Sequence, residues 1–426
     1  MPEPLDDTLR ELDGFCAEVS ADFRELGRLL DQDPDVIGDH LDRPGVRLSR
    51  FCAIPPRYWP GQEAPANLVG LLRTVLGQSV AWERLAYGDP NVWLASPGPA
   101  LSGGVVDVLG TTEQADRYYH RLVAEPQHTF FGLTEPTKGS AATELTTTLT
   151  PAADGDGWIL DGEKCYIGNG ARAEFGVVFC RRAPGPLGIE AVLVDTDTPG
   201  FSGELLPTVG LRGARISRIR FDGVRVPAGN LLGAHLRRTR RGLYGATQVL
   251  YRARPTIAAM ALGCAQAVCD YVLAQRPALA GFDRLQLDDV LDRIAAVRRL
   301  IRQGAADVDR GAVNSHRLGA AKAQAARLAE EATLLAARLL GPAALVEHPW
   351  LEKTYRDVRA FEIMEGTSNL HRMSVFRGVL KGNFLAPPEP GDVFAAPVSG
   401  DVFAAPVSGE SPSTPELAGN GRATRR

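Results

Sequence analysis

The stretch Tyr355-Arg356-Asp357-Val358-Arg359-Ala360-Phe361-Glu362-Ile363-Met364-Glu365-Gly366-Thr367-Ser368-Asn369-Leu370-His371-Arg372 joins two helical patterns across a Glu-Gly-Thr break. Before the break, Val358, Phe361 and Ile363 are apolar among charges. After it, Leu370, Met373 and Phe376 recur at three-residue spacing, which predicts a new helix. Gly366 permits backbone angles that a side chain forbids, and Thr367 or Ser368 is placed to cap the second helix. A lone carboxylate, Glu365, is thereby predicted at a helix junction between apolar elements. Buried there it resists ionising and becomes a proton acceptor near neutral pH. Taken alone, the stretch reads more readily as a surface Glu at a helix end, and the rest of the chain has to decide.

Working outward, residues from about 240 to 385 are long helical patterns. Ile257, Met260, Ala261 and Cys264 share one face, and the run from Leu318 to Leu340 consists almost wholly of good helix formers, so a helix bundle is predicted. From Phe130 to about Ala234 the pattern changes to short β-rich runs between turn signals. Trp158-Ile159-Leu160 followed by Asp161-Gly162 predicts a hairpin turn, and Cys165-Tyr166-Ile167 its second strand. Further strands are predicted over Gly176–Cys180, Ala191–Val194 and Ile219–Phe221, with Val226-Pro227 closing the segment. Residues 5–128 read as helical again. Leu9, Leu12, Phe15 and Val19 form one face, a helix is stopped by Pro34, another runs from Leu68 to Tyr87, and Thr111 or Thr112 caps a third. The fold class is α+β, divided as 1–129 helical, 130–235 β and 236–387 helical bundle. A Pro-, Gly- and Ala-rich tail at 388–426 carries the unit Gly-Asp-Val-Phe-Ala-Ala-Pro-Val-Ser twice in tandem and is expected to be disordered.

Composition narrows the function classes. The chain of 426 residues is 44% hydrophobic and 23% charged, an ordinary globular balance. A net charge of -4 argues against general attraction to nucleic acid or an anionic membrane. No run of about 20 apolar residues is apparent, so no membrane span is expected. Six scattered cysteines include no CxxC pair; neither a zinc site nor a disulfide framework is expected, and a reducing cytoplasm fits. The acidic N-terminus lacks the pattern of a signal peptide.

Two further segments carry chemistry. Phe130-Phe131-Gly132-Leu133-Thr134-Glu135-Pro136-Thr137-Lys138-Gly139-Ser140 is a turn-rich entry to the β region, with N–H and hydroxyl groups suited to a polar ring edge or a phosphate. Gly162-Glu163-Lys164-Cys165-Tyr166-Ile167-Gly168-Asn169 puts one aromatic on a β edge, where it either packs in a core or lies against a flat cofactor. Together with Phe221-Asp222-Gly223-Val224-Arg225-Val226-Pro227, Asn230-Leu231-Leu232-Gly233, and Arg254-Pro255 opening a helix that contains Gly263, these segments resemble the acyl-CoA dehydrogenases, in order, over roughly residues 10 to 385.

The resemblance implies an N-terminal helical domain, a middle β-barrel and a C-terminal four-helix bundle, with FAD between barrel and bundle. It implies a homodimer or homotetramer acting on an acyl-CoA or an acyl carrier protein thioester. Carried over position by position, Leu133, Thr134, Gly139 and Ser140 form the flavin loop. Tyr166, Ile167 and Gly168 line the flavin ring, Thr367 approaches the cofactor, and Glu365 is the base. Ser140, Arg254 and Gly366 are implied near the substrate. The resemblance also implies hydrogen-bond donors to the thioester carbonyl, namely the backbone N–H of the base and a flavin ribityl hydroxyl.

Departures from the family pattern concern the part of the FAD site expected to come from a neighbouring subunit. Ala141 stands where an Asp is usual, and Arg338-Leu339-Leu340-Gly341-Pro342 replaces a Gln-initiated glycine-rich run. The usual Arg-x-x-Phe-Gly is irregular: either Arg276 fills it with a displaced Phe282, or Leu279 replaces the Arg and Phe282 keeps register. Such drift points to a specialised member, with a short, polar or carrier-bound acyl group as substrate and Arg237, Arg238, Arg240 and Arg241 available to an acidic carrier, or simply solvated. The alternatives are an acyl oxidase or flavin-dependent hydroxylase of the same fold, and a scaffold that has lost FAD.

Overall fold

A computed structural model describes residues 6–58, 63–139 and 141–382. The predicted disordered tail and Ser140 lie outside them. Helices fill the chain from Asp7 to Ala124, strands from Thr129 to Leu232, and helices again from Leu243 to Leu380.

In the first helical region, Thr111 caps the helix Thr112–Ala124 through a reciprocal capping box with Gln114. The predicted single helix from Leu68 to Tyr87 is instead three pieces, Ala66–Val69, Leu71–Arg73 and Val75–Gly88. Thr74 takes an extended conformation and its hydroxyl accepts from the Gly77 N–H, so it restarts the helix as a cap.

The β region is one sheet of eight strands: β1 Thr129–Gly132, β2 Thr148–Pro151, β3 Trp158–Ile167, β4 Phe175–Arg181, β5 Ile189–Asp195, β6 Phe201–Leu205, β7 Ser217–Val226 and β8 Leu231–Leu232. The order is β6-β7-β3-β2-β4-β5-β8, with β1 parallel to β4. Successive side chains of a strand point to opposite faces. Val178 and Cys180 of β4 therefore enter a β-only core with Phe130, Leu160, Val192, Ile219 and Phe221. Val177 and Phe179 point the other way, into the core shared with the helices. Both faces of β4 and β5 are thus apolar and buried, which explains their continuous hydrophobic runs.

The hairpin predicted at Asp161-Gly162 does not form. β3 continues through it, and its pairing with β7 shifts register between Leu160 and Gly162. This is a bulge that bends the strand without ending it. Gly162, at φ 141°, packs where a Cβ would lie 2.7 Å from the Thr147 Cα.

The last region is built on the helices Leu243–Gln275, Gly281–Asp309, Ser315–Leu340 and Ser368–Leu380, with Pro349–Asp357 between the last two. Arg254-Pro255 does not open a helix: Pro255 lies inside Leu243–Gln275, which starts twelve residues earlier than Pro255. By length and composition alone this helix is apolar enough to cross a membrane. Its apolar residues are instead buried in the bundle core, Ile257, Met260, Ala261 and Cys264 among them.

Candidate active site

Glu365 sits at the break in the opening stretch, and the backbone there is unusual. The helix Pro349–Asp357 tightens into the turn Val358–Glu362, and Glu365 then adopts φ 53° and Gly366 φ 102°. A left-handed glutamate is strained by about 1 kcal/mol or more, so its surroundings must hold it. Val358 and Phe361 anchor the turn in the core, whereas Ile363 is exposed. Thr367 caps the helix Ser368–Leu380 through its hydroxyl, and Glu362 accepts from both the N–H and hydroxyl of Ser368. That helix turns Met373 and Phe376 outward.

Three buried side chains surround the turn. Arg254, 4% exposed, points Nε at the Glu365 carbonyl, 3.4 Å away, which places it under the turn rather than in an open substrate cleft. Lys322 of the helix Ser315–Leu340 donates to the carbonyls of Glu362 and Gly366 at 2.9 and 2.7 Å. The His371 ring packs against Gly366, with Nε2 3.2 Å from where a Cβ would be, which with the positive φ requires glycine there. Burial raises the Glu365 pKa above the ordinary carboxylate range, opposed by the charges of Arg254 and Lys322. Glu365 itself is half-buried. Burial, with Arg254 and Lys322, pushes His371 down to about 3, so its imidazole is neutral. Lys322 and His371 carried no sequence signal, because single polar residues on helix faces look solvated until the fold brings them together.

The second group lies on the β region. The Cys165 N–H donates to the Thr134 carbonyl at 2.9 Å, joining the loop after β1 to β3. Below this joint Glu135 is buried and accepts from the N–H and hydroxyl groups of Thr146 and Thr147 and from Lys164 Nζ at 2.9 Å. Burial alone would raise Glu135, but Lys164 and Thr147 outweigh it and hold it at about 2. With five donors on it, the carboxylate is ionised, while burial lowers the Lys164 pKa and the Glu135 charge opposes that. Tyr166 follows at φ 61° with its ring 60% exposed. A large aromatic held outward on a left-handed backbone is not core packing, and it fits a surface for a flat ring. Gly168 leaves room beside it: a Cβ there would meet only the Ala214 carbonyl, at 3.8 Å. Leu133 and the Ile167 side chain are buried, Ile167 in the β core, so Ile167 offers a ligand backbone alone. Gly139 is exposed on the same loop.

The loop Leu211–Arg215 connects the two groups. The Asn169 N–H donates to the Ala214 carbonyl at 2.8 Å, and the Leu211 N–H to Asp357 Oδ1 at 2.6 Å. Tyr166 and Glu365 therefore belong to one continuous framework. Both ends of this loop, Leu211 and Arg215, have left-handed backbones, a feature with no signature in the sequence.

Arg276, Phe282, Arg338 and Gly341 form a third group at another end of the bundle. Arg276 donates to the Leu339 carbonyl at 2.6 Å and lies 3.5 Å from Asp283; Arg338 donates to Gln286 at 2.6 Å. Gly341 ends its helix at φ 105°. Phe282 is 71% exposed, while Leu279 is buried. Of the two sequence registers, only the one using Arg276 leaves both side chains accessible. Among the described residues, no hydrogen bond or ion pair links this group to Glu365 or Tyr166.

Family profiles described as acyl-CoA dehydrogenase, middle domain, and acyl-CoA dehydrogenase, C-terminal domain, match residues 130–224 and 240–380. The chain belongs to the acyl-CoA dehydrogenase family. It is 33% identical over 285 residues to acryloyl-CoA reductase (NADH) of Anaerotignum propionicum, covering 64% of this chain and 71% of that protein. It is 31% identical over 330 residues to the mitochondrial short-chain specific acyl-CoA dehydrogenase of Bos taurus, covering 74% and 79%. The structure of butyryl-CoA dehydrogenase from Megasphaera elsdenii superposes with a TM-score of 0.75 at 25% identity, over 89% of this chain and all of that one. The family consists of flavin oxidoreductases acting on the CH–CH groups of acyl-CoA, and this chain is an enzyme of that class.

Proposed function

We propose that the chain catalyses FAD-dependent α,β-dehydrogenation of an acyl-CoA, with Glu365 removing the α proton. The observation that carries this reading is a half-buried carboxylate of raised pKa on a strained, clamped turn, tied through Asp357 and the Leu211–Arg215 loop to an exposed Tyr166. Strain at a position this well braced marks function more than stability.

The residues fit a flavin ring. Thr134 and the backbone of the loop after β1 offer polar groups to its edge, Tyr166 and Gly168 a face, and Thr367 sits beside the base. The bound flavin supplies the hydride acceptor. An α C–H beside a thioester is a weak acid, so the carbonyl needs a hydrogen-bond donor as negative charge develops; the Glu365 backbone N–H is offered by the same turn. The Glu365 carboxylate takes the proton in its ionised form. The apolar packing around Val358 and Phe361 helps desolvate the turn, and burial raises the pKa of the carboxylate. The Arg276, Phe282, Arg338 and Gly341 group, exposed and separate, suits the cofactor of a second copy in a homodimer.

Glu365→Gln is expected to keep FAD and lose flavin bleaching by acyl-CoA under anaerobic conditions. Bleaching at the wild-type rate would remove Glu365 from this role.

A further inference from the structure

Lys322 is 1% exposed in the middle of the helix Ser315–Leu340. Among the described residues it has no carboxylate within ion-pair distance; its hydrogen bonds go to the carbonyls of Glu362 and Gly366. A buried ammonium without a counter-charge is costly, and burial pulls this one down to about 8. Core stability alone does not call for an amine here, since a methionine fills similar volume without a charge. Its two acceptors lie on either side of Glu365, one three residues before and one directly after. Arg254 reaches the carbonyl between them only weakly, at 3.4 Å.

We propose that Lys322 is the positioning residue of the base turn: its Nζ clamps the Glu362 and Gly366 carbonyls and so fixes the left-handed Glu365 in the orientation that proton removal needs. This rests on Glu365 being the base. The ionisable groups facing the amine are Glu362, Glu365, Arg254 and His371. Of these His371 is neutral and Glu362 also accepts from Ser368, so the charge of Lys322 is shared between Glu362 and Glu365. Taking it away leaves the carboxyl closer to what burial alone dictates, and its pKa rises.

The test uses flavin-loaded wild type, Lys322→Met, Lys322→Arg and Glu365→Gln. Two readouts are taken: hydrogen exchange of the 362–368 amides, and the pH dependence of flavin reduction by butyryl-CoA. Lys322→Met is expected to retain flavin, exchange these amides at least about tenfold faster, and reduce about 10- to 100-fold more slowly. The acid limb of its profile moves up by about one pH unit. Lys322→Arg restores part of the protection and of the limb. If Lys322→Met does not fold, Lys322→Gln, which keeps an N–H donor without the charge, is read in the same way. Wild-type exchange and an unmoved limb in the uncharged variant would overturn the proposal. Wild-type reduction by Glu365→Gln would overturn the base assignment, and the exchange data would still decide whether Lys322 holds the turn.

Discussion

Tyr166 and Glu365 both have left-handed backbones, and each carries local strain. Replacing Tyr166 with glycine relieves that strain and removes the exposed ring. Flavin-free protein is expected to melt no lower than wild type, while the Kd for FAD rises about tenfold, the scale of one aromatic contact. Fluorescence titration and a melting curve check both halves; an unchanged Kd would mean that the ring faces something other than flavin. For Glu365, burial raises the pKa and the two cations only partly oppose it. If Glu365 is the base as proposed, the active form is the carboxylate, and flavin reduction is expected to increase with pH along a limb above the usual value of about 4.3. A limb at or below that value would show that the carboxyl is not desolvated in the working enzyme.

At the scale of elements, β3 decides whether the cofactor loop is firm. Its bulge at Gly162 turns Lys164 inward onto Glu135, and Glu135 in turn holds Thr146 and Thr147. Lys164→Met leaves a buried carboxylate without its cation and is expected to cost about 3–5 kcal/mol, measured by urea unfolding. The pH dependence has a definite sign. Glu135 is depressed to about 2 in the folded chain, so its contribution is complete above the unfolded value. It is lost as pH falls from about 4.3 toward 2. Acid unfolding of Glu135→Gln should therefore be shallower in that window than that of wild type. The sequence reading of Asp161-Gly162 as a hairpin failed because the same dipeptide serves a bulge. Asp161 spends its carboxylate on the Gly223 N–H of the neighbouring β7, a partner 62 residues away.

Across the whole molecule, one buried network joins all three regions. Lys353 donates to Asp89 and Asp357, both at 2.6 Å; Asn91 donates to Asp357 at 2.8 Å; and Leu211 and Gly213 complete it from the β region. Burial opposes the Lys353 charge, yet the two aspartates raise its pKa above the ordinary lysine value. Lys353→Met strands two buried carboxylates, with an expected loss of about 3–5 kcal/mol. Because Asp357 precedes the base turn, substrate-driven reduction should fall with stability even in protein that remains folded. Full reduction in a destabilised variant would show that the junction and the turn are independent.

Periodicity and turn chemistry were enough to place helices, strands and helices in order, because amphipathic faces and caps such as Thr111 are written in neighbouring residues. Ordered motifs were enough to indicate the family. Lys322, His371, Arg254 beneath the turn, the Leu211–Arg215 loop and the Asp89–Lys353–Asp357 network were not legible in this way. Their meaning comes largely from distant partners, such as Glu362 for Lys322, 40 residues away, and Asp89 for Lys353, 264 residues away. Only packing brings those groups within hydrogen-bond distance, and only burial turns an ordinary lysine into a clamp and an ordinary glutamate into a carboxyl of raised pKa.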